Sequence, residues 1–232
     1  MVVRRHDFNC EWWGGEVGIV DIEKFAVADD SEVLSELVRF EWVEARSGGG
    51  VPIDLGRLCS LGFFQVDTHV RFRIRLSSIE MTTSLLELEV RSADEESFDV
   101  EANQILDFAS DRFSRLPGCT PEKARERYAL WSRGLIEAQP EHALRILKDG
   151  EVQGYYLGRM TETGFDLTLA MLTVESRITG MHLYQRALLE FGERGIKIGG
   201  ASFSVHNGPV LNIYSELGAR FTSTEMFWFR MR

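Results

Sequence analysis

The sequence is poor in the residues that staple a fold, bind metals or make a surface basic. Its three cysteines, Cys10, Cys59 and Cys119, are odd in number and scattered. A disulfide scaffold needs pairs, so reduced thiols in a cytoplasm are the expectation. Five histidines (His6, His69, His142, His182, His206) show neither HxH nor HxxxH spacing, and no metal centre is expected. No apolar run approaches the roughly 20 residues that span a bilayer, so no membrane partner is expected. The opening MVVRRHDFNCEWW carries Arg4 and Arg5 without an apolar core behind them, unlike a signal peptide. Basic residues are also scarce: 26 Lys and Arg face 36 Asp and Glu, for a net charge of −10. Phosphate-backbone binding needs the opposite balance, so nucleic acid is not an expected partner.

What remains is an ordinary globular composition over 232 residues, 44% hydrophobic and 27% charged. That length buries one or two cores and excludes global disorder. The acid is unevenly spread. Residues 1–115 hold 12 Lys/Arg and 23 Asp/Glu, net −11; residues 116–232 hold 14 and 13, net +1. Such asymmetry suggests halves with different tasks.

Periodicity predicts strands over 16–23, 64–76 and about 85–90, and a helix over 31–46 capped by Ser31. SGGGVP (47–52) breaks the chain, and 54–61 is a helical turn ending at Gly62. Thr120-Pro121-Glu122 starts a helix that runs to about Glu137. A hairpin follows around Lys148-Asp149-Gly150, a type I′ turn sequence. Then come strand 164–172, helix 179–194, strand 197–205, helix 208–217 and a last strand rich in Phe227, Trp228 and Phe229. That last strand is either interior or a dimer edge. Residues 54–73 and 210–229 echo each other as helix, Leu-Gly and alternating strand, the pattern of a duplicated module or of chance. The expected fold is mixed α/β, with an acidic N-terminal domain over 1–100 and a second domain over 101–232.

The loop between strand 164–172 and helix 179–194 places backbone N–H groups and a helix dipole together, as an anion site requires. Its Arg177-Ile178-Thr179-Gly180-Met181-His182 resembles the Arg/Gln-x-x-Gly-x-Gly/Ala pyrophosphate loop of the GNAT acetyl-CoA-dependent N-acetyltransferases, with His182 at the final small position. Asn207 through Tyr214 and Leu217-Gly218-Ala219-Arg220-Phe221 is similar to that family's Asn-x-x-x-hydrophobic-x-x-Tyr-x-x-x-Gly-Phe segment. Shorter matches resemble a subgroup that acetylates dTDP-fucosamine, a nucleotide-linked 4-amino sugar. These are Trp12-Trp13-Gly14, Leu61-Gly62-Phe63, Val66-Asp67-Thr68, Asp111-Arg112-Phe113 and Tyr128-x-x-Trp131.

The resemblance implies a GNAT fold with a central mixed sheet, and acetyl-CoA as co-substrate. It places Arg177, Thr179, Gly180, Met181 and His182 at the pyrophosphate, and backbone groups of Leu172 and Val174 along pantetheine. Asn207 is an N-cap or a pantetheine ligand. Tyr214 is a core aromatic or the acid that protonates the departing thiolate. An oxyanion donor is expected at a backbone N–H near Leu172. Asp166 and Glu175 are candidate bases, and Asp166 shares a strand face with Leu172 if the period of two is unbroken. Arg112, Phe113, Trp131, Tyr155 and His206 are candidates for the acceptor, a small-molecule amine that is a sugar nucleotide or another amine, an amino acid or a protein N-terminus. A non-catalytic acyl-CoA-binding module is the competing reading. Monomer and homodimer both remain open.

Overall fold

The computed structural model describes residues 1–48, 54–108 and 111–232. Its elements run β1 (Val3–Arg5), α1 (Asp7–Trp13), β2 (Val17–Val20), α2 (Ile22–Val27), α3 (Asp30–Leu37), β3 (Trp42–Ser47), α4 (Leu55–Ser60) and β4 (Phe64–Arg75). They continue with β5 (Leu88–Ser92), α5 (Pro121–Ala138), β6 (Ala143–Lys148), β7 (Glu151–Thr161) and β8 (Gly164–Leu172). The last are α6 (Gly180–Glu193), β9 (Ile198–Ser204), α7 (Gly208–Glu216) and β10 (Arg220–Met231). The chain is mixed α/β, as expected. It forms two compact units, Met1–Val70 with Ser223–Arg232, and Arg71–Thr222. The expected boundary at residue 100 falls inside the second unit.

In the first unit the strand order is β1-β2-β3-β10, with β2 and β3 parallel and the other neighbours antiparallel. Phe25, Val33, Leu37 and Leu58 of the helices pack against Val43, Ala45 and Trp228 of the sheet. The helix expected over 31–46 stops at Leu37, is preceded by Asp29 rather than Ser31, and gives way to β3. Trp42, Val43, Glu44 and Ala45 are all buried, and the first three have strand partners on both sides. Burial on both sheet faces outweighs helix propensity there. The strand expected over 16–23 ends at Val20, because the Asp21 side chain accepts from Lys24 N–H and starts α2. Phe227, Trp228 and Phe229 are interior side chains, paired in register with β3. Of the expected breaker at 47–52, residues 49–52 lie outside the described residues.

In the second unit the order is β4-β9-β8-β7-β6-β5. One face packs Leu183, Leu188 and Phe191 of α6 and Tyr214 of α7 over Leu144, Tyr156 and Leu167. The other packs Leu135 of α5 over Tyr155, Leu157, Leu169 and Met171. Tyr155 and Tyr156 fall on opposite faces, as the strand period requires. Thr120 caps α5 by accepting from Lys123 N–H at 3.2 Å, with Pro121 just inside the helix. Asp149 and Gly150 have φ of 54° and 77°, the left-handed pair that a type I′ hairpin demands.

The two echoing segments share local geometry. Phe63 N–H donates to Leu58 O at 3.0 Å, and Ala219 N–H donates to Tyr214 O at 2.9 Å. Gly62 and Gly218 follow their helices at φ 84° and 78°. Leu58, fully buried, thus holds in the first unit the position that Tyr214 holds in the second.

Candidate functional site

The site begins with a defect in β8. The register against β7 shifts between Leu157 and Arg159, so that Leu167 and Thr168 face the single residue Gly158. A side chain at Gly158 would sit 2.3 Å from the Phe165 ring, so the strand needs glycine there. The extra residue turns β8 over: Phe165 and Leu167 join the α6 face, whereas Leu169 and Met171 join the α5 face. Asp166 and Leu172 therefore point to opposite faces. The expectation that they share one assumed an unbroken period and is corrected by the bulge. Asp166 instead pairs with Arg159 at 3.2 Å, both side chains reaching solvent.

The same bulge ends the pairing of β8 with β9. Their parallel ladder covers Phe165↔Gly199 and Asp166↔Gly200, and among the described residues no pair follows along 167–172. The strands open there, and the backbone groups facing the opening can be named. Thr173 N–H donates to Gln153 O at 3.0 Å, towards β7. By alternation, Leu172 and Val174 present their N–H and C=O groups to the opposite side. Two of these groups are already engaged. Leu106 N–H donates to Leu172 O at 3.2 Å, and Val174 N–H donates to Gln104 O at 2.9 Å. Ile105, 1% exposed, bridges Thr173 and anchors the segment on the α5 face. Val174 N–H, expected to be open to a ligand, is thus held by the chain itself. Among the described residues no bond joins Leu172 N–H to the Gln104–Leu106 segment, and β8 has no β9 partner at that point.

The loop after β8 is built from below. Buried Gln153 accepts from Arg177 N–H at 2.7 Å through its side-chain oxygen. The Arg177 guanidinium pairs with Glu151, an exposed pair that contributes little to stability. Thr179 caps α6, accepting from His182 N–H at 3.4 Å and lying 3.1 Å from His182 Nδ1. The His182 ring thereby folds back on the cap. Gly180 and Met181 N–H have no acceptor among the described residues, so the helix end offers two donors along its dipole. A Cβ at Gly180 would lie 3.2 Å from Ile213 Cδ1, so glycine lets α6 approach α7 closely. Glu175 is exposed at the loop surface. Thr179→Ala is expected to cost about 1 kcal/mol of stability through the lost cap, read by urea denaturation.

Asn207 caps α7 by accepting from Val210 N–H at 3.3 Å, which leaves its amide N–H₂ available. In the last turn of that helix stands Tyr214, 3% exposed. Its hydroxyl lies 2.6 Å from that of Tyr156 on β7. Phe72, Tyr184 and Phe203 enclose its ring, with centroids 3.9, 5.3 and 5.7 Å away. Burial first, then the neighbouring Tyr156 and Tyr184, push the Tyr214 phenol well above its usual range. It stays protonated at neutral pH, a donor rather than a base.

No protein-family model and no curated protein matches the sequence. Solved structures do. A GCN5-related N-acetyltransferase from Sphaerobacter thermophilus superposes with a TM-score of 0.57 at 14% identity, over 99% of this chain and 75% of that one. A tandem GNAT protein from the clavulanic acid biosynthesis pathway gives 0.53 at 12% identity, over 94% and 76%. A GCN5-related glucosamine N-acetyltransferase region of a fungal multi-domain GH3 β-N-acetylglucosaminidase gives 0.60 at 11% identity, over 98% and 30%. This chain has the GNAT fold. At such identities the likeness is one of fold.

Within the GNAT fold Arg112, Phe113, Trp131 and Tyr155 group around α5. Arg112 lies over the Phe113 ring at 4.4 Å, and Arg127 over the same ring at 3.9 Å. Arg127 also lies 5.8 Å from the Trp131 ring. Trp131 and Tyr155 belong to the core on the α5 face, and Tyr155 donates to Gln104 Oε1 at 3.4 Å. Burial raises the Tyr155 phenol as well. His206 sits in the β9–α7 turn, its N–H donating to Ser204 Oγ at 3.1 Å. Sequence reasoning missed Arg127, Gln153, Tyr156 and the Gln104–Leu106 segment. Only Arg127 left a readable trace, one turn of helix before Trp131. Among the described residues no helix is long and apolar enough to cross a membrane, and no three His, Cys, Asp or Glu side chains cluster to hold a metal.

Proposed function

We propose that this chain transfers the acetyl group of acetyl-CoA to a primary amine. The observation that carries the reading is the opening of β8 from β9 beyond the bulge, with Leu172 N–H facing it and a protonated, buried Tyr214 on the α7 side. Bound acetyl-CoA supplies an acyl group activated as a thioester. Gly180 and Met181 N–H hold its pyrophosphate at the start of α6, beside Arg177, Thr179 and His182. Asn207 offers its amide to the pantetheine arm. Leu172 N–H stabilises the oxyanion formed when the amine attacks. Tyr214 gives its phenol proton to the sulfur as the C–S bond breaks. No strong base is required for an amine already largely unprotonated near neutral pH. Asp166 and Glu175, both solvent-facing, act only on a proton that has reached the surface.

For the acceptor we favour a nucleotide-linked 4-amino sugar. Support comes from the half-buried Arg112 and Trp131, a guanidinium and a ring set beside the buried Phe113 and Arg127, since an Arg can pair with a phosphate and an aromatic face can stack on a sugar or base. The engagement of Leu172 O and Val174 N–H by the chain favours the second reading, an acyl-CoA-binding module without turnover. Calorimetry with acetyl-CoA, then thiol release with a panel of amines and amino-sugar nucleotides, separates them. Binding at one site per chain with turnover of an amino-sugar nucleotide is the expected result. Binding without turnover of any amine would leave only the binding module, and no binding would overturn both.

A further inference from the structure

We infer that Tyr156 is a positioning residue for the proposed acid, Tyr214: it supplies the hydrogen bond that lets Tyr214 release a proton from a buried site. The inference rests on the proposed acetyl transfer and adds a residue to it.

The geometry is that of a closed pair. Tyr156 lies on the α6 face of β7 with no exposed surface, and its hydroxyl is 2.6 Å from that of Tyr214. The residue opposite Tyr156 on β8 is Ala170, small enough to leave room above the sheet for the two phenols to meet. Tyr184 touches both rings edge-on at 5.3 Å and takes part in no hydrogen bond with either. Among the described residues the Tyr214 hydroxyl has Tyr156 as its protein hydrogen-bond partner.

A phenol buried among aromatic rings is a poor acid, because its phenolate loses hydration and gains little in return. Burial acts in that direction on both tyrosines. One donor aimed at the oxygen offsets part of that penalty. Either hydroxyl can donate across this contact. With Tyr214 donating to Tyr156, its phenol is held higher still. With the bond reversed, Tyr156 O–H donating to Tyr214 O, the Tyr214 proton is free to point at a sulfur in the opening. When the C–S bond breaks, its electron pair stays on sulfur and Tyr214 transfers its proton there. The phenolate left behind keeps the hydrogen bond from Tyr156. It regains a proton from the one the amine sheds as the N–C bond forms. Tyr156 itself exchanges no proton and touches no substrate.

The test compares CoA with desulfo-CoA, by calorimetry between pH 7 and 9.5. A thiolate stabilised by the Tyr214–Tyr156 pair binds more tightly as pH rises, and desulfo-CoA has no thiol to ionise. In the wild type the preference for CoA is expected to rise about tenfold over that range, one unit of thiol pKa. In Tyr156→Phe and in Tyr214→Phe the preference stays flat, with desulfo-CoA affinity within about twofold of wild type. Tyr184→Phe, which removes a hydroxyl bonded to neither partner, behaves as wild type. A merely structural role for Tyr156 would move both probes together and leave their ratio alone. An unchanged pH response in Tyr156→Phe overturns the inference while leaving acetyl-CoA binding intact. Failure of both probes to bind the wild type overturns the proposed function with it.

Discussion

Phe191→Ala is expected to lower the stability of the second unit by about 3–5 kcal/mol, the usual cost of emptying an aromatic site that cannot collapse. Phe191 has no exposed surface and sits on the inner face of α6. Its ring meets Phe165 at 4.8 Å and Tyr156 at 5.8 Å, both edge-on, so the cavity would open between helix and sheet. Phe165 is the residue at which β8 pairs with β9, and Tyr156 is the partner of Tyr214. Loss of packing here loosens the site as well as the core. Val27→Ala, at a side chain 86% exposed, should stay within about 0.5 kcal/mol. Urea unfolding followed by circular dichroism reads both. A cost below about 1 kcal/mol for Phe191→Ala would mean that α6 is not packed on the sheet as described.

Tyr214→Phe carries the largest expected effect on rate. General-acid help is worth about 10²-fold or more, so kcat should fall at least that far, with KM for acetyl-CoA nearly unchanged. The ring, and with it the packing against Phe72 and Phe203, is retained. Wild-type kcat in the variant would remove Tyr214 from the chemistry. Because the phenol is raised well above its ordinary value of 10.0, it imposes no alkaline limb on kcat below about pH 10. Stability behaves differently. Tyr156, Tyr184 and Tyr214 are raised in the folded chain, so their contribution is complete below the unfolded value near 10. Above it the unfolded chain ionises while the folded chain does not, and stability falls as pH rises. Alkaline unfolding should begin near pH 10 and start higher in a variant with all three changed to Phe.

Much of the second unit was legible because its signals are local. Thr120-Pro121, Asp149-Gly150, Thr179 and Asn207 each act through bonds to residues within a turn, and each marks its element end within a residue or so. The first unit was harder. The register of Trp42–Ser47 follows from neighbours on β2 and β10, the latter 179 to 189 residues away in the chain, and no local pattern carries that information. Similarly, Gln153 reads as one more strand residue until its amide is seen to hold the loop before α6.

The sequence by itself determined the scarcity of basic charge and the order of strands and helices in the second half. It also placed an aromatic hydroxyl, Tyr214, on the last helix and an open helix end at Gly180. These follow from composition, short-range capping and turn chemistry. The tertiary structure alone decided what faces the opening. A single extra residue opposite Gly158 moved Asp166 off the face of Leu172. A segment some 70 residues upstream took the groups expected at Leu172 O and Val174 N–H. A strand period and a hydrogen-bond partner are both set by the neighbour across a sheet, and that neighbour is chosen only when distant parts of the chain pack together.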